Sequence, residues 1–145
     1  MDLTFKILPF DSEEQKETIS LRYDILRAPL GMVFTEEQLA AENEDFHLAT
    51  YREGELVACL VLHEKDADWL KMRQVAVAEK YQRQGIGQKM IEFSHQWAKE
   101  KGYKIMFCHA RHLAADFYEH KLHYSIIGES FEEVGMKHYR MEKVL

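Results

Sequence analysis

Apolar and polar positions along the chain switch between a two-residue period and a helical period. Strands are predicted at residues 3–8, 46–51, 56–63, 68–77 and 103–109, with one or two more between 124 and 143. Helices are predicted from a cap at Asp11 or Ser12 to about Arg27, over a short segment capped near Thr35, from the Gly85–Gly87 turn to Gly102, and over 113–120. This mixture predicts one α/β domain over residues 1–145.

The segment from Leu56 to Leu62 is apolar at every position, so its strand should be covered on both faces. It is also the longest unbroken apolar run, and it is far shorter than the roughly 20 residues that span a bilayer. The opening residues Met1–Lys6 contain neither a basic region nor a long apolar region, so no signal peptide is predicted. We therefore expect no membrane association and a cytoplasmic location.

Composition and charge narrow the possible functions. Apolar residues make up 46% of the chain, which predicts a packed domain rather than disorder. The formal net charge is −6 and no Lys/Arg stripe is present, so nucleic-acid binding is not expected. Cys59 and Cys108 lie in apolar runs and are interpreted as reduced core residues. Five carboxylates predict a solvated face, at Glu36, Glu37, Glu42, Glu44 and Asp45.

The strongest local signal is a glycine-containing loop between a strand and a helix. Val75-Ala76-Val77 is followed, after four residues, by Gln82-Arg83-Gln84-Gly85-Ile86-Gly87 and then by the helix. The two glycines let the backbone turn sharply and approach a ligand, and the first N–H groups of a helix have no intrahelical partners. The loop therefore predicts an anion site that fits a pyrophosphate. It matches neither the dinucleotide-binding fingerprint nor the P-loop.

The spacing Gln-x-x-Gly-x-Gly after a Val-Ala-Val strand resembles the acetyl-CoA loop of the GNAT N-acetyltransferase superfamily. Residues 114–124, AADFYEHKLHY, resemble the second signature of that family, in which a short helix carries a Tyr and ends in a Lys-Leu-Gly-Phe-like turn. His123 stands where that turn usually has Gly. The resemblance implies a mixed, twisted sheet of six to seven strands with about four helices. That sheet would splay apart after Val75–Val77 to admit the pantetheine arm.

The resemblance also implies the site residues and acetyl-CoA as cosubstrate. Tyr118 falls at the family's general-acid position, where its hydroxyl would protonate the leaving thiolate. A backbone N–H of the Val75–Val77 strand would meet the oxyanion. The implied cofactor-binding residues are Val75, Ala76, Val77, Gln82, Arg83, Gln84, Gly85, Ile86, Gly87, Gln88, Ala114 and Phe117.

The tail 131–141, FEEVGMKHYRM, resembles the ending of a small-molecule branch that includes relatives of the glyphosate N-acetyltransferases. In that branch a His at the place of His138 is the base, and an imidazole suits removal of a proton from an ammonium. His47, His109 and His112 remain alternatives. Lys137 stands where glyphosate-type relatives have Pro, and the 124–134 stretch differs, so the acceptor is left open.

The same branch resemblance extends to Arg22, Arg73 and Arg111, which it implies bind the carboxylate or phosphonate of the acceptor. Guanidinium groups grip such anions with two parallel hydrogen bonds. Arg73 shares strand parity with Val75 and Val77, so a β-bulge could redirect it.

We therefore expect an N-acetyltransferase that acts on a small amine bearing a carboxylate or phosphonate. The alternatives are a cationic acceptor (a polyamine or aminoglycoside) bound by the carboxylates of 36–45, a protein amine, or a non-catalytic CoA-binding module. No metal is expected, because His109/His112 and His120/His123 are lone pairs without further ligands. A homodimer is left open.

Overall fold

Seven strands form one sheet within residues 2–145, the part of the chain that this computed structural model describes. The strands are β1 (Leu3–Leu8), β2 (Phe46–Arg52), β3 (Glu55–Glu64), β4 (Trp69–Val77), β5 (Ile105–Arg111), β6 (Ser125–Glu133) and β7 (Met136–Val144). The α-helices in the same range are α1 (Glu13–Arg22), α2 (Glu36–Ala40), α3 (Ile86–Glu100) and α4 (Ala115–His120). These elements confirm the predicted α/β class, and strand and helix boundaries differ from the predicted ones by a few residues.

The sheet is mixed, with strand order β1-β2-β3-β4-β5-β7-β6. Its neighbouring strands are antiparallel except β4 and β5, which run parallel. That parallel pairing joins Trp69–Lys71 to Ile105–Phe107 and goes no further. Beyond Lys71 the two strands separate and leave an opening in the sheet. The predicted mixed sheet with a splay is confirmed, although the splay begins before Val75 rather than after Val77.

A β-bulge in β4 accounts for the early splay. Cys59 of β3 pairs with Ala76, whereas Val61, two residues on, pairs with Arg73. The β4 strand thus holds one extra residue, and Gln74 takes a left-handed backbone conformation with φ 57°. A bulged strand bends away from its neighbour and changes the phase of its side chains. A bulge that can redirect Arg73 is therefore present.

The core lies on both faces of the central strands, as the unbroken apolar run of β3 predicts. Val57, Leu60 and Leu62 pack with Met90 and Ile91 of α3, and each of these residues is at most 1% exposed. On the opposite face α1 covers β3, where the Cys59 thiol lies 3.8 Å from the backbone oxygen of Thr18. Among the described residues, no helix combines the length and apolar character needed to cross a bilayer.

The first helix does not run unchanged to Arg27. The α-helical geometry ends at Arg22 and continues as a π-helix over Tyr23–Arg27, in which Ala28 N–H donates to the carbonyl of Tyr23. A short 3-10 turn with Pro29 follows and ends at Gly31, whose φ is 68°. Ala28 keeps right-handed helical angles, but Pro29 has no N–H to extend the ladder of backbone hydrogen bonds, so the helix ends in this turn.

The prediction of a solvated acidic face over 36–45 is wrong for two of its members. Glu36, Glu37 and Glu44 are exposed. Glu42, however, is 5% exposed, and the side chain of Asp45 is 3% exposed. Both carboxylates point inward because each forms an ion pair with an arginine, Glu42 with Arg22 of α1 and Asp45 with Arg73 of β4.

Candidate active site

The separation of β4 and β5 opens a cleft of about 710 Å³. Its walls come from the π-helix, the β4 bulge, the loop before α3, the end of β5, α4, and the β6–β7 turn. The cleft therefore joins the predicted anion loop at one side to the predicted base and arginines at the other.

The loop before α3 is held in shape by two side-chain amides. The Gln82 amide donates to the carbonyl of Val77 at 2.9 Å, and the Gln84 amide donates to the carbonyl of Lys80 at 3.3 Å. Gly85 precedes α3 with φ 80°, a left-handed conformation that suits glycine. Because α3 spans 15 residues, its N-terminus has the unpaired N–H groups and the positive dipole end that suit a phosphate group.

Most of the predicted cofactor-binding residues line the cleft. Gly87 is among them, and a Cβ built on it would lie 3.4 Å from Cγ2 of Val77, so α3 packs closely on β4. Ala76 and Gln84 are outside the lining. The structure turns Ala76 into the core, where it is 1% exposed, and the Gln84 amide is engaged with Lys80. The predicted residues in the lining are Val75, Val77, Gln82, Arg83, Gly85, Ile86, Gly87, Gln88, Ala114 and Phe117.

Tyr118 projects from α4 into the cleft wall and is 8% exposed. Burial raises the pKa of its hydroxyl far above the usual value, so the group is protonated at neutral pH. Its ring packs edge-on against Tyr124, with centroids 5.4 Å apart, and the Tyr124 hydroxyl lies 2.7 Å from Nε2 of His95. Cys108 also lines the cleft, but burial raises the pKa of its thiol to about 12 and keeps it from acting as a nucleophile.

His138 lies on β7, is 5% exposed and lines the cleft. Its Nδ1 is 2.9 Å from the carbonyl of Met136. Because a carbonyl only accepts hydrogen bonds, Nδ1 carries the proton, and Nε2 of the neutral ring holds the basic lone pair. That Nε2 is 3.8 Å from Oε2 of Glu133. The ring therefore has the tautomer that a general base in this cleft requires.

The other candidate histidines occupy different environments. His47 is buried outside the cleft lining, and its Nε2 lies 3.0 Å from the carbonyl of Glu42. His112 is exposed outside the lining and packs on Tyr139, with ring centroids 5.9 Å apart. His109 does line the cleft, but its Nδ1 lies 3.1 Å from Oε1 of Glu133.

The three predicted substrate arginines do not share one environment. The family resemblance implies a substrate-binding role for Arg22, but Arg22 is 0% exposed and lies outside the cleft lining. Both its terminal nitrogens bind Glu42, at 2.9 and 2.6 Å. Arg73 lines the cleft and donates to Asp45 at 2.8 Å. Arg111 lines the cleft as the β5 residue paired with His138 of β7.

Arg27 is a cleft residue that the sequence did not single out. It is the last residue of the π-helix, and its guanidinium lies over the ring of Phe34, 4.5 Å from the centroid. Burial, followed by the charges of Arg22 and Arg111, lowers the pKa of Arg27 from its usual value. Pro29 indicates from the sequence that the first helix ends near Arg27. The π-helical turn that directs Arg27 into the cleft has no signature in the hydrophobic pattern.

Within residues 2–145, no three His, Cys, Asp or Glu side chains converge as metal ligands would.

A cleft that joins an anion-binding helix end to a buried tyrosine and a histidine fits an acyl-transfer enzyme. The family model described as the acetyltransferase (GNAT) family matches residues 10–124. The chain belongs to this family and is an acetyltransferase. The predicted family and enzyme class are thus confirmed, and acetyl-CoA is the donor that this membership supports.

Solved structures of other proteins share this fold. An acyl-CoA N-acyltransferase from Pseudomonas aeruginosa superimposes with a TM-score of 0.79 at 18% identity, over 98% of each chain. A GNAT family acetyltransferase from Elizabethkingia anophelis with acetyl-CoA bound gives 0.73 at 20%, over 99% of this chain and 98% of its own. An aminoglycoside 6'-N-acetyltransferase in complex with coenzyme A gives 0.75 at 14%, over 97% of this chain and 96% of its own. These similarities establish the fold. The class of acceptor has to be inferred from the residues that line the cleft.

Proposed function

We propose that this protein transfers the acetyl group of acetyl-CoA to the amine of a small molecule that carries a carboxylate or phosphonate. The observation that carries the proposal is the direct pairing of Arg111 with His138 across β5 and β7, both facing the cleft. Paired residues on adjacent strands project from the same face of a sheet about 5 Å apart. An anion on Arg111 would therefore bring a nearby amine to the base.

The balance of charge in the cleft favours an anionic acceptor. Arg22 and Glu42 neutralise each other, and Asp45 offsets the charge of Arg73. Within the described residues, Arg27 and Arg111 have no carboxylate within 4.0 Å. Two guanidinium groups with spare donors match a carboxylate or phosphonate.

On the donor side, the loop Gln82–Gly87 and the N-terminus of α3 would hold the pyrophosphate of acetyl-CoA. The absence of a Cβ at Gly85 lets the backbone come close, and Arg83 adds a formal charge. The pantetheine arm would lie in the splay beside Val75 and Val77. The Val77 carbonyl already accepts from Gln82, so Val75 offers the accessible backbone groups.

The chemistry assigned to the side chains follows their protonation states. Nε2 of His138 takes a proton from the acceptor ammonium, and the free amine then forms a bond to the thioester carbonyl carbon. The carbon–sulfur bond breaks as the tetrahedral intermediate collapses, and the Tyr118 hydroxyl gives its proton to the departing sulfur. A hydroxyl that burial keeps protonated at neutral pH suits this role.

The test is thiol release from acetyl-CoA, measured with a panel of anionic, neutral and cationic amines. Glycine, other amino acids and aminomethylphosphonate should be acetylated, and Arg111→Ala should lower their kcat/KM by about tenfold or more. Lys137→Ala is the matched control, because Lys137 is an exposed cation beside His138 that lies outside the cleft lining. Efficient turnover of spermidine or kanamycin, with no turnover of anionic amines, would contradict the proposal.

A second experiment addresses the base. His138→Ala should nearly abolish turnover at neutral pH while the affinity for acetyl-CoA stays within a few-fold of the original. Full activity of that variant would remove His138 as the base and leave His109, the other histidine in the cleft lining, as the next candidate.

The alternatives are outcomes of the same panel. A cationic acceptor has less support, because the inward-turned carboxylates Glu42 and Asp45 are engaged by arginines and the exposed ones lie outside the cleft lining. If acetyl-CoA binds but every small amine is inert, a protein amine or a non-catalytic CoA-binding role takes precedence.

A further inference from the structure

We propose that Glu133, oriented by His109, binds the ammonium group of the acceptor beside His138, so that the acceptor enters as a zwitterion. This inference rests on the proposed acetyl transfer and names the substrate class more narrowly. It also assigns a specificity role to a residue that the sequence did not single out.

Glu133 is the one carboxylate among the cleft-lining residues in the described part of the chain. The other charged groups around it are mostly cations: Arg27, Lys71 and Arg111 line the same cleft, as does Arg73, whose charge Asp45 offsets. A primary amine arrives protonated at neutral pH, since its pKa lies well above 7. Without a local negative charge, these cations would repel the group that must reach the base.

The distances around Glu133 leave a place for that ammonium. Oε1 lies 3.1 Å from Nδ1 of His109, a contact that fixes the carboxylate. Oε2 lies 3.8 Å from Nε2 of His138, which is too far for a hydrogen bond. One nitrogen placed about 2.8 Å from each atom spans this gap with ordinary hydrogen bonds. An ammonium can donate to both at once, and its third N–H remains available.

The backbone of β6 places Glu133 at this position. The pairing with β7 shifts register between Ile127 and Phe131, and Gly128 there has φ 76°. Beyond the shift, Phe131 pairs with His138, and its ring lies 5.0 Å from that of His109. Residues two apart on a strand share a face, so Glu133 joins Phe131 on the side of the cleft.

The same geometry limits how far the two charges of the acceptor lie apart. Arg111 and Glu133 flank His138 from the strands on either side, β5 and β6. Each of these strands lies about 4.8 Å from β7, so an ammonium held beside His138 would be about one strand spacing from Arg111. A molecule whose amine and acidic group are separated by one or a few bonds fits this spacing, as in an amino acid or an aminoalkylphosphonate.

The test compares each amine with its hydroxyl counterpart, which keeps the acidic group but lacks the ammonium. Glycine and glycolate form one pair, and aminomethylphosphonate and hydroxymethylphosphonate form the other. Binding is measured by calorimetry on the protein saturated with coenzyme A, and KM and kcat are measured for the amines. The variants are Glu133→Gln and Glu132→Gln, the latter an exposed neighbour outside the cleft lining.

The original protein should bind the amine at least tenfold more tightly than its hydroxyl counterpart. Glu133→Gln should lose most of that preference and raise KM about tenfold, while its affinity for the hydroxyl compound, which also reports correct folding, stays unchanged. Glu132→Gln should behave like the original protein. Turnover of spermidine, with none of glycine or aminomethylphosphonate, would overturn the zwitterionic acceptor together with the proposed substrate class.

An unchanged preference in Glu133→Gln would overturn this inference and leave the proposed acetyl transfer standing. Equal loss of affinity for both members of a pair would also overturn it, because Glu133 would then support the site without contacting the ammonium. Absence of binding and turnover for every amine in the original protein would instead refute the proposed function itself.

Discussion

The buried pair of Arg22 and Glu42 yields the most decisive prediction about stability. Arg22→Ala would leave the Glu42 carboxylate, which is 5% exposed, without its bidentate partner. Removing one member of a buried ion pair costs about 3–5 kcal/mol. The substitution also removes the guanidinium that lies 4.8 Å from the centre of the Phe34 ring.

For a domain of this size, each kcal/mol of lost stability lowers Tm by about 2–4 °C, so Arg22→Ala should lower Tm by roughly 6–20 °C. Thermal unfolding followed by circular dichroism measures this shift. The double variant Arg22→Met/Glu42→Leu should recover most of the loss, because it replaces the whole pair by apolar side chains of similar volume. The Arg22 Nε atom has no hydrogen-bond partner within the described residues, which favours this recovery.

The result that would refute this reasoning is an Arg22→Ala variant with an unchanged Tm and a KM for anionic amines raised tenfold or more. Arg22 would then bind the acceptor, as the family resemblance implies, and would break its ion pair with Glu42 on doing so. Arg111→Ala provides the contrast, since Arg111 is exposed and its loss should alter acceptor kinetics and leave Tm almost unchanged.

Three further predictions follow from other parts of the structure. Gly85 and Gly102 have φ of 80° and 95°, so Gly85→Ala and Gly102→Ala should each lower the free energy of unfolding by about 1 kcal/mol. Only Gly85→Ala should also weaken CoA binding, measured by titration. Burial lowers the pKa of His95 to about 4. The unfolded chain therefore binds more protons between pH 4 and about 6.5, and the free energy of unfolding should fall by about 3 kcal/mol as pH drops through that window. His95→Gln should flatten this dependence in urea titrations; an unaltered slope would exclude His95 as its source. Tyr118→Phe should lower kcat about 100-fold with unchanged acetyl-CoA affinity, and undiminished kcat would exclude Tyr118 as the acid.

The elements that sequence predicted well are those defined by local pattern. The apolar run of β3, the amphipathic α3 and the capped start of α2 each depend on residues near one another in the chain. The same holds for the glycine loop, where Gly85 has the left-handed conformation that its position requires. His123 departs from the family pattern, which has Gly at this position. It nevertheless adopts φ 62° and so keeps the backbone geometry that Gly usually provides there.

The parts that sequence could not predict depend on partners distant in the chain. Glu42 and Asp45 look like surface carboxylates until α1 and β4 bring Arg22 and Arg73 against them. The π-helix depends on how α1 packs on the sheet, so the inward direction of Arg27 is a tertiary property. Glu133 is an ordinary acidic residue in the sequence, and its position between two histidines arises only from the register shift in β6.

The narrow junction of β4 and β5 has a consequence for how the cofactor can be detected. Three residue pairs connect these strands, whereas β5 and β7 share seven. Residues 2–77 and 105–145 each supply one side of the junction, so local opening between them breaks few hydrogen bonds. A ligand lying across the splay would suppress that opening in proportion to its concentration over its Kd. Amide hydrogen exchange at Lys71 and Phe107, the last pair before the strands separate, would thus report donor binding with no acceptor present.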